Sequence, residues 1–255
     1  MTLLPSVLLS VHLPLSAHFT TRHGGISYTP YDALNLAFHV GDNPQDVLKN
    51  HSILAHTLGY DSQKLIHMRQ IHSDIVMVVT ANMSFDTPPQ CDALITNRID
   101  IPLMVMSADC TPILLYDPIN QAIGAVHAGR AGALNGILPK TLKAMQKNYG
   151  TSLSDIQIVL GPAIQGCCYE INENIAREVK EKGFQKALIR TEKKVSLDVN
   201  TILQIQLEAL GIVSEQIETI NQCTSCNCHD YFSYRANRQH TGRIAGVILL
   251  RPLPS

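Results

Sequence analysis

Asp117-Pro118-Ile119-Asn120 lies between two short apolar runs, Thr111 to Tyr116 and Ala122 to His127. Asp first and Pro second is strong turn chemistry: the carboxylate bonds to the backbone ahead of it, and the ring presets φ. The flanking runs then become antiparallel partners, so this hairpin constrains the chain more than any other stretch. With those four residues as the turn, Tyr116 pairs with Gln121, and the same register sets Cys110 opposite His127. Opposed residues share a face, with Cβ atoms about 4.5–5.5 Å apart. A thiolate and an imidazole so placed can share one metal ion, at about 2.3 Å for Zn–S and 2.0–2.1 Å for Zn–N. A slip of one residue would send them to opposite faces.

A third ligand should come from another turn. His72 suits it, in the polar stretch Gln70-Ile71-His72-Ser73-Asp74 between the strand-like segments 64–69 and 75–80. Two His and one Cys leave the fourth position of a tetrahedral ion open, as catalytic sites do. The same residues admit a different chemistry. Cys110 could be a nucleophile activated by His127, with Asp109 orienting a group or shuttling a proton. Equally, a Cys beside a His on apolar strands can be ordinary core packing.

The rest of the chain mixes strand and helix signals without repeats or linkers, which predicts one α+β domain over residues 1–255. A strand is expected at 17–22, ending in the Gly24-Gly25 turn, and others at 101–106 and 244–250. Helices are expected at 44–58 (Asn43 cap, Pro44 first, Gly59 stop), 133–148 (strained or restarted at Pro139), 173–182 (Asn172 cap) and 199–210 (Asp198 cap).

Composition narrows the function classes. Twenty basic against twenty-one acidic side chains, and no basic stripe, argue against nucleic acid as a partner. No apolar stretch reaches transmembrane length. Leu3 to Leu15 is apolar enough to resemble a signal peptide, but the first basic residue is Arg22; Pro5 and Pro14 suit an edge strand and its exit. Seven cysteines, two of them adjacent, make a poor disulfide framework, so free thiols in the cytoplasm are expected. Cys223-x-x-Cys226-x-Cys228-His229 carries zinc-binding residue types, yet one short loop seldom wraps an ion unaided and no partner Cys-x-x-Cys exists. Cys167-Cys168 reads as ordinary buried thiols. Arg22-His23-Gly24-Gly25 could hold an anion or be a plain tight turn.

Taken together, the chain resembles the YfiH family, also called the multicopper polyphenol oxidase or laccase-domain family and now described as purine nucleoside phosphorylases. The resemblance rests on Thr20-Thr21-Arg22-His23-Gly24-Gly25, Pro30-Tyr31-Asp32-Ala33-Leu34-Asn35-Leu36, Gly41-Asp42-Asn43 and Gln70-Ile71-His72. It continues through Ala108-Asp109-Cys110, Val126-His127-Ala128-Gly129, Gly161-Pro162-Ala163-Ile164, Phe232-Ser233-Tyr234-Arg235 and Thr241-Gly242-Arg243. It implies mixed β-sheets flanked by helices, akin to bacterial toxins that are cysteine deamidases. It puts zinc on His72, Cys110 and His127, with phosphorolysis of adenosine, inosine, guanosine and methylthioadenosine and deamination of adenosine. Two departures stand out. Family members commonly read His-Ala-Gly-Trp-Arg-Gly, whereas here Arg130-Ala131 follow Gly129, and His51 stands where an Arg is common.

The residues are thus read as those of a cytoplasmic zinc enzyme taking purine nucleosides and phosphate, with Arg22 and Arg130 as phosphate ligands and Arg235 or Arg243 in reserve. Copper would serve the same ligands in a polyphenol oxidase, although the chain offers no His-x-His pairs. The same residues are also compatible with a Cys-His amide hydrolase or a non-catalytic binding module.

Overall fold

The computed structural model describes residues 1–10 and 15–252; the expected strand exit at Pro14 lies outside them. Its strands are β1 (Leu3–Pro5), β2 (Leu15–Thr20), β3 (Val76–Val78), β4 (Ala93–Thr96), β5 (Leu103–Ser107), β6 (Thr111–Asp117) and β7 (Ala122–Ala128). They continue as β8 (Gln157–Leu160), β9 (Glu170–Ile171), β10 (Leu188–Arg190), β11 (Val195–Leu197), β12 (Ile217–Thr219) and β13 (Ile244–Leu250). The α-helices are α1 (Val7–Ser10), α2 (Pro44–Leu58), α3 (Arg130–Leu134), α4 (Ile137–Tyr149), α5 (Glu173–Glu181) and α6 (Val199–Ala209).

Two sheets face each other. The larger has the order β12-β8-β6-β7-β4-β3, and the smaller is β1-β2-β13-β5. Every residue of β6 and β7 is buried. This is why both runs are apolar almost throughout: each face is covered, so no polar alternation is needed. The two-residue period sorts their side chains. Leu114, Tyr116, Ile123 and Ala125 pack with Phe19, Leu103, Val105 and Ile248 between the sheets. Ile113, Leu115 and Val126 point the other way, against Leu138, Leu142 and Met145 of α4 and Ile202 and Leu203 of α6. On the far side of the smaller sheet, Leu54 and Leu58 of α2 close over Met104, Met106, Ala245 and Val247. The result is helix, sheet, sheet, helix, an α+β architecture of mixed sheets flanked by helices.

The capping signals act as expected. Asn43, Asn172 and Asp198 accept hydrogen bonds from the backbone N–H groups of Gln45, Ile175 and Asn200, and Gly59 ends α2 in the left-handed region.

Three local expectations are corrected. The hairpin closes at Asp117↔Ala122, so the loop is Pro118 to Gln121 rather than 117–120. Asp117 still caps it through Ile119 and Asn120, but Gln121 takes a left-handed φ of 48° and lengthens the turn. Tyr116 therefore faces Ile123, and His127 faces Pro112. The shift is two residues, which preserves the face of every side chain. Of the two strand-like segments, 75–80 holds β3 as expected, whereas 64–69 forms no strand. Ile66 and Arg69 make only isolated bridges, and β3 runs parallel to β4. Finally, the helix expected at 133–148 does restart, but at Gly136, which takes φ 79°, and not at Pro139. Pro139 sits in the first turn of α4, where its missing N–H is no loss. Among the described residues no helix is long and apolar enough to cross a membrane.

Candidate metal centre and cavity

Where β6 begins and β7 ends, the hairpin delivers Cys110 and His127 to one face. The 70–74 turn brings His72 across to meet them. The Cys110 Sγ lies 3.9 Å from His72 Nε2. One donor atom from each of His72, Cys110 and His127 falls within 4.8 Å of the others. The two rings stand edge to face, with centroids 4.9 Å apart.

The residue that orders this group is Asp92, fully buried just before β4. Its Oδ1 accepts from His127 Nδ1 at 2.9 Å and from the His72 N–H at 3.0 Å. Its Oδ2 accepts from the Ser73 N–H at 2.6 Å and hydroxyl at 2.7 Å. One carboxylate thus turns His127 so that Nε2 faces the cluster and folds the backbone that presents His72. Burial works against its charge, but the bonds from His127 and Ser73 prevail and hold its pKa down to about 2. Sequence reading missed Asp92. The available signal was a lone acid in the run Cys91-Asp92-Ala93-Leu94-Ile95, since a charge buried among apolar residues needs partners.

Burial alone would raise the Cys110 thiol; the charges and hydrogen bonds of His127 and His72 reverse this and bring it to about 6. Burial would likewise lower His127, but Cys110 and Asp92 lift it to about 9. Without a metal, the pair is a thiolate facing an imidazolium.

Gly129 completes the geometry. A Cβ built there would lie 3.0 Å from Cys110 Sγ, 3.1 Å from His72 Cδ2 and 3.8 Å from His127 Cε1. The three donors therefore converge on a space kept open by a missing side chain.

This centre opens into a cavity of ≈ 500 Å³, within the usual range for small-molecule sites of about 300–1,000 Å³. Its walls include His39, Gln70, Tyr169, Tyr234 and three guanidinium groups, those of Arg130, Arg235 and Arg243. Arg235 lies over the Tyr169 ring at 5.3 Å and Arg243 over Tyr234 at 5.8 Å. Arg130 is tied to Glu178 at 2.6 Å. Arg243 Nη1 donates to the Thr241 and Gly242 carbonyls.

One expected placement is corrected. Arg22 does not reach the cavity. Its Nε donates to the Asp32 carbonyl and its Nη1 to the Cys228 carbonyl, each at 2.7 Å, while the guanidinium stacks on Phe232 at 4.6 Å. A buried cation so engaged is a brace. The Gly24-Gly25 turn is closely packed, since a Cβ would meet Met1 at Gly24 and Ala33 and Asn50 at Gly25. Asp109 does line the cavity, but both its oxygens are engaged, by the Thr224 hydroxyl and the Arg235 N–H, each at 2.7 Å. Those bonds anchor the Arg235 segment.

The cysteines also depart from expectation. Cys167 is exposed and Cys168 half-buried, and both meet Cys223 and Cys226 across the fold. Cys228 and His229 stand outside that group.

Comparison with known proteins gives the chain's family. The family model described as multi-copper polyphenol oxidoreductase laccase matches residues 16–251. A purine nucleoside phosphorylase of Corynebacterium glutamicum is 41% identical over 239 residues, covering 93% of this chain and 95% of that protein. The purine nucleoside phosphorylase YlmD of Bacillus subtilis is 30% identical, covering 91% and 87%. The crystal structure of the Bacillus licheniformis hypothetical protein YfiH superposes with a TM-score of 0.92 at 31% identity, covering 98% of this chain and 97% of that one. With the family model spanning nearly the whole chain and the fold shared throughout, this protein belongs to the laccase-like YfiH family.

Proposed function

We propose that the protein is a zinc-dependent purine nucleoside phosphorylase acting on adenosine, inosine, guanosine and methylthioadenosine, and that it also deaminates adenosine. The observation that carries this reading is one cavity that joins the His72-Cys110-His127 donor set to the guanidinium groups of Arg130, Arg235 and Arg243. Relatives named purine nucleoside phosphorylase support it.

The residues fit a metal. Two imidazoles and a thiolate converge around Gly129, and Asp92 fixes the tautomer of His127. Mixed nitrogen and sulfur donors suit zinc. When bound there, the ion supplies Lewis-acid polarisation of an oxygen entering its open position.

Phosphorolysis forms a bond from a phosphate oxygen to the anomeric carbon and breaks the bond to the purine, which leaves with the electron pair. Positive charge gathers on the sugar meanwhile. Guanidinium groups hold the phosphate by paired N–H···O contacts. Arg243 is well placed to do so, because Nη1 is pinned to backbone carbonyls and the residue lines the cavity. Tyr169 and Tyr234 lie against Arg235 and Arg243 and offer aromatic surface on which a base can stack. Asp109 positions Arg235.

The test is inosine cleavage by purified protein with and without phosphate, alongside metal analysis. Base release that needs phosphate, together with a sugar 1-phosphate product, is expected. Phosphate-independent release, or none, overturns the reading.

One observation favours a second reading. Cys110, His127 and Asp92 form the nucleophile, base and orienting acid of a cysteine hydrolase, with the thiol already lowered to about 6. Such a mechanism needs no metal and leans on His72 only to lower the thiol, so a His72→Ala protein that stays active without metal would decide for it. A copper phenol oxidase has less support. Among the described residues, the other group able to hold a metal is all cysteine, without the imidazoles that further coppers would take.

We further read residues 1–255 as one catalytic domain working in the cytoplasm. None of the seven cysteines is paired in a disulfide, which a reducing compartment would favour.

A further inference from the structure

Cys167, Cys168, Cys223 and Cys226 come from two segments far apart in sequence. The first pair sits in the turn after Ile164, where the Cys168 and Tyr169 N–H groups donate to the Gln165 carbonyl. The second pair sits in the loop after β12, held by the Asn227 N–H to the Cys223 carbonyl. A bridge between Ala163 and Cys223 registers the two segments. One sulfur from each cysteine lies within 4.8 Å of all the others. Cys226 Sγ is 3.6 Å from that of Cys167 and 3.3 Å from that of Cys168. Four sulfurs around a zinc ion at about 2.3 Å would stand about 3.8 Å apart in a regular tetrahedron, so small shifts would seat one.

We infer that these four cysteines form a second metal site, a closed all-thiolate centre for zinc that fastens the 165–169 turn to the 223–227 loop. The chemistry favours it over chance packing. Four sulfurs drawn from two separate segments converge on one point, which is the donor set a soft divalent cation takes. Cys223 is buried, and backbone N–H groups of Cys226, Ser225 and Gln165 point to its sulfur. Such donors stabilise a ligating thiolate by taking its remaining lone pairs. A disulfide accounts for less. Cys226 is close to both Cys167 and Cys168 but can bond only one, leaving the other sulfurs without a role.

A closed four-cysteine shell leaves no position for substrate, so the site is structural. Its fastening matters because both segments serve the cavity. The turn carries Tyr169, and the loop carries Thr224, whose hydroxyl holds Asp109. This site stands apart from the reaction proposed above, since no ligand is shared with His72, Cys110 or His127.

The test uses full-length protein purified under reducing conditions. Wild type should bind about two equivalents of zinc, and a His72→Ala/Cys110→Ser protein about one. Cobalt in that second protein should show the intense thiolate charge transfer of an all-sulfur shell. Adding Cys167→Ser and Cys226→Ser, both exposed and so compatible with folding, should abolish it. Failure of fully reduced His72→Ala/Cys110→Ser protein to bind metal would overturn the inference. So would cobalt spectra untouched by the serine pair, or an intact mass lighter by two hydrogens with no metal bound, which marks a disulfide.

Discussion

Asp92 hydrogen-bonds His127 Nδ1 at 2.9 Å and, through the same oxygen, the backbone N–H of His72 at 3.0 Å. One buried carboxylate therefore orients two of the three donors of the proposed centre. Asp92→Asn keeps the volume but cannot accept at both oxygens. It should weaken metal binding about 10- to 100-fold, the usual effect of losing a partner behind a ligand. Competition with a chromophoric chelator measures this; unchanged affinity would show that His127 and His72 hold their places without help.

Gly129→Ala tests the space on which the donors converge. Gly129 has φ −75°, so alanine meets no backbone strain there. The added methyl would instead press on Cys110 Sγ and His72 Cδ2. Thermal stability should change little, while metal content and turnover fall at least about tenfold, as occupation of a ligand site costs. Wild-type metal content in the variant would place the ion elsewhere.

Arg243 and Arg22 should separate phosphate binding from folding. Arg243→Ala should raise the phosphate KM roughly 10- to 150-fold, corresponding to a lost charged hydrogen bond of about 1.5–3 kcal/mol. Arg130→Ala should act in the same direction. Arg22→Ala should instead lower Tm and leave the phosphate KM near wild type, since its donors are engaged by backbone carbonyls. A phosphate KM that moves only with Arg22 would reverse the assignment.

His51 predicts a pH dependence. It is buried, bonds to the Leu36 carbonyl at 2.9 Å and stacks on Phe38. Burial lowers its pKa from 6.5 to about 4. The unfolded chain then binds a proton that the folded chain refuses between those values. Stability is complete above about pH 6.5 and falls as pH drops toward 4, by up to about 3 kcal/mol. His51→Gln keeps the hydrogen bond without the titration. Denaturant melts across pH 4–7 should show a shallower slope in the variant, with a remainder from His67, whose pKa burial also lowers. Identical slopes would remove His51 from the account.

Local chemistry was legible in the sequence because its causes are local. Asn43, Asn172 and Asp198 cap their helices with their own side chains, and the apolar runs of β6 and β7 already declare a strand pair buried on both faces. The Cys110–His127 juxtaposition was legible despite a register two residues out, because an even shift leaves both side chains on one face. Tertiary structure decided what depends on distant partners. Asp92 is an ordinary acid until β4 lays it between His127 and the 70–74 turn. Arg22 looks free until the carbonyls of Asp32 and Cys228 claim it. Cys167-Cys168 and Cys223-x-x-Cys226 are two weak motifs until the Ala163↔Cys223 bridge sets them side by side. Sequence carries the residue types and their short-range bonds, whereas a site assembled across 50 or more positions exists only once the sheets have closed on their core.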